Sequence, residues 1–441
     1  MVEGAQVNLQ WVLVTRGIFI CSCALFFSGG IQAQSLSEAV GTTLRTNPDI
    51  LASKYNVEAA EQLRKQARSG YFPVVDLVFA GGSEISNNTT TRAANFDDLR
   101  LTREEKSVKI TQLLYDGFST RNFVKQQAAL LDAALARLGS SQENVSLRAI
   151  QVYLEVLRRD AVVLLADENL DQHDMTLNKI SERFENGVGT KVDVVQTRGR
   201  RAQAKSAVLL TQRDAKNGRA EFFRVVGENP VSLEDPQVIS GLPQTLEAAL
   251  EIASRNNPGL KAAEAELEAA IAARKQARGR FHPKFNLELG ATRNEDTDGS
   301  LGANDDETAV VRMTFNVFRG GADIARFNET QAREFAAREA LRSSRRAVAE
   351  DVALIWNELE DILVRLEYLK AHVESTEEVL KVYNEQLTLG KRTLLDLLDV
   401  QNELLRAKIA YVSGQYVSLL ARYRVLTSTG QLLKTMGIIP G

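Results

Sequence analysis

The feature that most constrains this chain is that it contains its own architecture twice. Residues 36–79 read LSEAVGTTLRTNPDILASKYNVEAAEQLRKQARSGYFPVVDLVF, and residues 246–289 read LEAALEIASRNNPGLKAAEAELEAAIAARKQARGRFHPKFNLEL. Asn47-Pro48 matches Asn257-Pro258, the KQAR of 65–68 matches that of 275–278, and Pro73 matches Pro283, all at an offset of 210. Further on, Gly187, Thr190 and Asp193 match Gly390, Thr393 and Asp396 at an offset of 203. The missing residues fall in the polar loops between strand-like segments. A repeat on this scale means that one structural unit is built twice and packed against itself.

Each unit has the same order. A short helix runs to Asn-Pro, where the residue before proline leaves the helical region and the chain restarts. A second helix, two strand-like segments, a very long helix, a glycine-containing turn and a return helix follow. The first repeat is expected over 34–240, with strands about 73–85 and 105–115, a long helix about 118–186 and a return helix about 191–227. The second is expected over 241–441, with strands about 282–293 and 307–317, a long helix about 321–388 and a return helix about 393–430.

The strand-like segments are two-sided. In KFNLELGAT (284–292), Phe285, Leu287, Leu289 and Ala291 alternate with Lys284, Asn286, Glu288 and Gly290. In TAVVRMTFNV (308–317), Ala309, Val311, Met313, Phe315 and Val317 alternate with Arg312, Thr314 and Asn316. A period of two gives one apolar and one polar face. The pattern suits a half-buried hairpin of a soluble domain. It equally suits a membrane barrel, with the apolar side to lipid and long polar loops such as SNNTTTRAANFDDLR outside. Four strands cannot close in lipid, since an open edge leaves backbone groups unpaired. A dimer would supply about eight strands and a trimer about twelve.

The helices are too long for a compact domain. No Gly or Pro occurs from Ala322 to Leu389, a span of roughly 100 Å as helix. Val348, Val352, Ile355, Leu359, Ile362 and Leu366 mark a narrow heptad seam, and Val145, Ala149, Val152 and Val156 mark its counterpart. A seam this narrow packs against a neighbouring helix rather than into a thick core. The long helix and its return helix thus form an antiparallel pair in each half.

The N-terminus stands apart. Arg16 precedes the apolar run GIFICSCALFFS and then GGIQAQS, which reads as a secretory signal peptide over 1–33, cleaved after Ala33. Both cysteines, Cys21 and Cys23, lie in it, so the mature chain has no disulfide, thiol nucleophile or cysteine metal site. A net charge of −3 gives no footprint for nucleic acid. No phosphate-binding loop and no H-E-x-x-H motif occurs. His173, His282 and His372 share no ligand spacing and read as surface or strand-end residues. No cofactor, metal site or catalytic constellation is expected, so the chain is not read as an enzyme.

With these features in place, the chain resembles the TolC-type outer-membrane channels of Gram-negative bacteria. The resemblance covers essentially the whole mature chain. It rests on the duplication, the Asn-Pro openers, the steps Tyr115-Asp116-Gly117 and Phe318-Arg319-Gly320-Gly321 after the hairpins, and the paired turns GVGTKVDV and GKRTLLDLLDVQNEL. The endings YLEVLRRD, FFRVVGENP and YRVLTSTGQLL look most like the type I secretion branch, within it the exporters of large adhesins or agglutination factors. The fold implied is mixed α and β, mostly α. Two tandem repeats each give a β-hairpin to a shared trimeric β-barrel and a coiled-coil pair to a periplasmic α-barrel.

The resemblance further implies a homotrimer in outer-membrane lipid that extends into the periplasm. Its partners would be a periplasmic adaptor (membrane fusion protein) and an inner-membrane ABC transporter, or an RND pump if the channel serves small-molecule efflux. A third alternative, a soluble periplasmic scaffold, has no use for two-faced strands at matching places in both halves. The family's constriction aspartates fall on Asp396 and Asp399. Its gate-holding arginine falls on Arg392 and the acid that bonds it on Asp193. The latch tyrosine falls on Leu387, so one hydrogen bond of that latch is absent. Gly187, Gly189 and Gly390 mark the turns at the coiled-coil tip. A ring of carboxylates in a narrow throat attracts cations and repels anions.

Overall fold

The computed structural model describes residues 33–438. The signal peptide expected over 1–33 falls almost wholly outside the described residues. In order, the chain forms α1 (Leu36–Thr46), α2 (Pro48–Ser69), β1 (Val74–Ser86), α3 (Thr89–Ala93), β2 (Leu99–Tyr115), α4 (Ser119–Glu185) and α5 (Lys191–Val226). The second half forms α6 (Leu246–Asn256), α7 (Pro258–Arg278), β3 (Lys284–Glu295), β4 (Ala303–Thr314), α8 (Ala322–Thr388), α9 (Leu394–Ser428) and the short α10 (Leu432–Thr435). It is mostly helical, with two hairpins, one from each half.

The repeated Asn-Pro has a double physical role. Asn47 caps α2, its Oδ1 accepting from the Asp49 N–H at 3.0 Å, and Pro48 fills the first helical position, where no N–H is needed. Its Nδ2 donates to the Val225 carbonyl at the end of α5. Asn257 repeats this, accepting from the Leu260 N–H at 3.2 Å and donating to the Ser428 carbonyl at 2.9 Å. Each half therefore ties its opener to the end of its own return helix.

The strands form one antiparallel sheet in the order β1-β2-β3-β4. The inner pair, β2 with β3, joins the two halves. The register aligns Val75, Ile110, Leu289 and Ala309 across the sheet on one face, with Leu77, Val108 and Ala291 in the next row. In the single chain this face is uncovered: Phe79 is 74% exposed and Val311 61%. The opposite face is polar, and there Glu288 accepts from Lys109 at 3.2 Å and Arg312 at 2.9 Å. Among the described residues both outer edges, β1 and β4, lack a strand partner.

The strands run further into the loop side than the alternation indicated. β2 begins at Leu99 and β4 at Ala303, because the ladder continues through polar residues as Ser86↔Leu99 and Glu295↔Ala303. At the other end β4 stops at Thr314, short of the expected Val317. Thr314 pairs with Lys284, and the next partner would be Pro283, which has no N–H to offer. At this end of the sheet an aromatic cluster gathers: Tyr115 stacks edge-on with Phe118 (5.5 Å) and His282 (6.4 Å), and Phe281 with Phe327 (6.2 Å).

The helical part holds the core. The α8 seam is buried as Val352, Ile355, Leu359 and Ile362, against Ala249 and Ala253 of α6 and Ala421 and Val425 of α9. The first-half seam is buried as Ala149, Val152 and Val156, in a larger cluster with Val40, Ile50, Tyr153, Phe222, Leu426 and Leu432. The Tyr153 hydroxyl lies 2.8 Å and 2.7 Å from the carbonyls of Gln34 and Glu234, fixing the segment after α5 against α4. Among the described residues no helix is long and apolar enough to cross a membrane.

Candidate functional site

The segment GKRTLLDLLDV opens α9 at the end of the molecule farthest along the helices from the sheet. Gly187 and Gly390 occupy equivalent turns and both take positive φ, +75° and +68°, the left-handed cap that ends a helix. Gly189 is needed for space instead: a Cβ there would meet the Phe184 backbone N at 3.1 Å. After each turn a threonine caps the return helix in a reciprocal box. Asp193 Oδ2 accepts from the Thr190 hydroxyl at 2.8 Å, and Asp396 Oδ2 accepts from the Thr393 hydroxyl at 2.9 Å.

Three of the four leucines of this segment turn inward, whereas Leu395 and Asp399 are exposed. Leu394, Leu397 and Leu398 are buried, and Leu394 and Leu398 pack with Ile180 of α4 and Val194 of α5. Asp399 is exposed and Asp396 half-exposed, three positions apart on one line of the helix. Asp399 is not free: Arg200 Nη2 of α5 lies 2.9 Å from its Oδ1. This arginine was not anticipated, since it is distant in sequence and carries no motif.

Arg392 is held locally. Its Nε donates to Gln386 Oε1 at 3.1 Å, its Nη1 lies 3.9 Å from Asp396 Oδ2, and its guanidinium sits 4.5 Å above the Tyr383 ring. Asp193 is engaged by Thr190. Among the described residues, the expected pairing of Arg392 with Asp193 is therefore not made within one chain. Leu387 offers no side-chain bond, but its carbonyl accepts from the Gly390 N–H at 3.1 Å and closes the turn. Tyr383, one helical turn before Leu387, supplies an aromatic contact to the arginine that no sequence motif announced.

Two buried polar residues lie on the neighbouring turns of α9 and on α4. Gln401 Nε2 donates to Thr176 Oγ1 at 3.1 Å. His173 is 1% exposed, which corrects the expectation of a surface residue. The signal was available: continued from Val145, the 4-3 seam of α4 passes through Ala166, Leu170, His173, Leu177 and Ile180. Burial, together with the Arg200 charge, holds the imidazole below its usual range. His282 sits at a strand end and His372 is exposed, 3.4 Å from Glu403. Among the described residues no cluster of His, Cys, Asp or Glu is arranged to hold a metal ion.

A sheet with an apolar face and two open edges, continued by helix pairs about 100 Å long that end in a charged tip, defines an outer-membrane channel component. The chain belongs to the family described as outer membrane efflux protein, whose model matches residues 39–228 and 249–431, one stretch in each half. It is 25% identical to the outer membrane efflux protein BepC of Brucella suis, over 95% of this chain and 90% of that one. It is 22% identical to the outer membrane protein TolC of Escherichia coli K12, over 92% and 84%. It is 23% identical to the alkaline protease secretion protein AprF of Pseudomonas aeruginosa, over 87% and 83%. The solved outer membrane protein VceC of Vibrio cholerae has the same fold, with a TM-score of 0.79 at 18% identity over 90% of this chain and 96% of that one. The protein is thus a non-enzymatic channel of the Gram-negative outer membrane that extends into the periplasm.

Proposed function

We propose that three copies of this chain close one barrel of twelve strands and one periplasmic tunnel, and that the assembly is the passive exit duct of a type I secretion system. The observation that carries the assembly is the four-stranded sheet itself, with an uncovered apolar face and unpartnered β1 and β4 edges. Such edges must be paired in lipid. A periplasmic adaptor and an inner-membrane ABC transporter would dock at the helical end and supply the energy. The secretion reading is supported by the match to a protein named for protease secretion and by the three sequence segments noted above. The cargo class is a large protein, with adhesins the first candidate. The match to a protein named for efflux supports the second reading, the outlet of a small-molecule pump.

In this assembly Asp396 and Asp399 line the constriction at the tip. Arg392 pairs with Asp193 across chains while Tyr383 and Gln386 hold it in place. An exposed pair contributes only about 0–1 kcal/mol, so an adaptor docking on the tips could release each latch at little cost. The test is deletion of the gene followed by mass spectrometry of surface and culture-supernatant proteins. Loss of one very large repetitive protein supports secretion. An unchanged set of exported proteins, with new sensitivity to small toxic compounds, supports efflux.

A further inference from the structure

The constriction acids carry built-in counter-charges. Arg200 Nη2 lies 2.9 Å from Asp399 Oδ1, and Arg392 Nη1 lies 3.9 Å from Asp396 Oδ2. The two arginines are placed differently. Arg392 sits in the tip turn beside Tyr383, where a moving gate would carry it away. Arg200 stands on α5, two turns inside the helix, and its side chain is 30% exposed against 59% for Asp399. The carboxylate therefore faces solvent with the guanidinium behind it. The pair also breaks the symmetry of the two halves. At the 203 offset Asp399 corresponds to Gln196 and Arg200 to Glu403, so neither half contains this pair by itself.

We infer that Arg200 sets the cation affinity of the constriction, by neutralising Asp399 from behind in every chain; the inference rests on Asp396 and Asp399 lining the pore. A ring of three chains then presents one Arg200 guanidinium behind each Asp399 carboxylate, not a bare ring of acid. The ligand concerned is a multivalent cation in the throat, which meets a field damped by three fixed positive charges. Position 200 is thus a specificity-determining residue, although it belongs to the other repeat from the acids it controls.

The experiment uses the purified full-length assembly in planar bilayers, with lanthanum chloride as the blocking probe and a potassium chloride gradient for ion selectivity. Wild type is compared with Arg200→Gln, Arg200→Lys, Asp399→Asn, Arg200→Gln with Asp399→Asn, and Asp396→Asn with Asp399→Asn. Arg200→Gln should lower the half-blocking lanthanum concentration by about ten-fold, since each lost charge unmasks a carboxylate facing a trivalent ion. Arg200→Lys should stay near wild type. Asp399→Asn should weaken block, and adding Arg200→Gln to it should return block toward wild type. If Arg200→Gln blocks like wild type while the double acid variant loses block, the acids face the pore but Arg200 does not govern them, and the inference is overturned. If the double acid variant is also unchanged, the constriction itself lies elsewhere. Recovery of each variant as the same assembly as wild type separates these outcomes from misfolding.

Discussion

Arg200 and Asp399 join the two halves of the molecule at its tip: the guanidinium of α5 meets the carboxylate of α9 at 2.9 Å, beside the apolar contact of Ile180, Val194, Leu394 and Leu398. The leucines hold the helices together, and the ion pair sets a positive charge beside Asp399. Being half exposed, the pair contributes about 0–1 kcal/mol to stability. Arg200→Gln should therefore leave the unfolding midpoint nearly unchanged. A large loss of stability in a thermal melt would mean that the pair is a structural strut.

Tyr383 should restrain the gate through Arg392. A guanidinium over an aromatic ring at an exposed site is worth about 0.5–1 kcal/mol. Tyr383→Leu should raise the open fraction in single-channel recordings by about two- to five-fold, whereas Tyr383→Phe keeps the ring face and should stay near wild type. Equal effects of both substitutions would point to the tyrosine hydroxyl instead.

Glu143 makes stability fall as pH rises. This buried residue of α4 accepts from the N–H groups of Leu432 and Leu433, at 3.2 and 3.4 Å, and so caps α10. Burial pushes its carboxyl up to about 7. The folded form thus holds a proton that the unfolded chain releases near the ordinary value of 4.5, and stability is lost as pH rises between these values. The loss is up to about 3 kcal/mol. Glu143→Gln keeps an acceptor without a charge. Denaturant melts at pH 5 and pH 8 should then differ less than in wild type; an unaltered difference would exclude Glu143 as its source.

His173 acts with the opposite sign. Its imidazole is held below the usual value of 6.5, so its contribution is present above that pH and is lost as pH falls through the lowered value. Its Nδ1 is buried without a hydrogen-bond partner among the described residues. His173→Leu continues the apolar seam and should be neutral or stabilising at pH 7, and should flatten the acid side of the stability profile in Glu143→Gln protein. A loss of several kcal/mol at pH 7 would show that the imidazole has a bonding role that leucine cannot replace.

The sheet's apolar face should tolerate no charge. Val311→Arg on β4 should cost about 2–4 kcal/mol if the residue faces the bilayer midplane, and should reduce assembled protein in the outer-membrane fraction. Thr308→Arg, on the opposite face of the same strand, should assemble normally. Equal assembly of both would mean that the two faces meet the same solvent.

The duplication, the two-faced strands and the long helices were legible because each leaves a period or an exact repeat in the sequence. The turn glycines were legible for the same reason, since Gly187 and Gly390 answer one backbone need twice. What was not legible depends on contacts between helices. Arg200 meets Asp399 only after α5 and α9 pack side by side, and Tyr383 meets Arg392 only when the tip turn folds back. His173 was legible in principle, since the 4-3 seam of Val145, Ala149, Val152 and Val156 continues through it. The strand ends were missed because backbone pairing continues through polar residues and stops where proline removes a donor.

The central claim is that the open four-stranded sheet is completed by two further copies of itself. Native mass spectrometry of protein extracted from outer membranes in mild detergent tests it most directly. The account predicts a species of three chains and no stable smaller form. A monomer that retains its sheet, or a dimer as the dominant species, would contradict it.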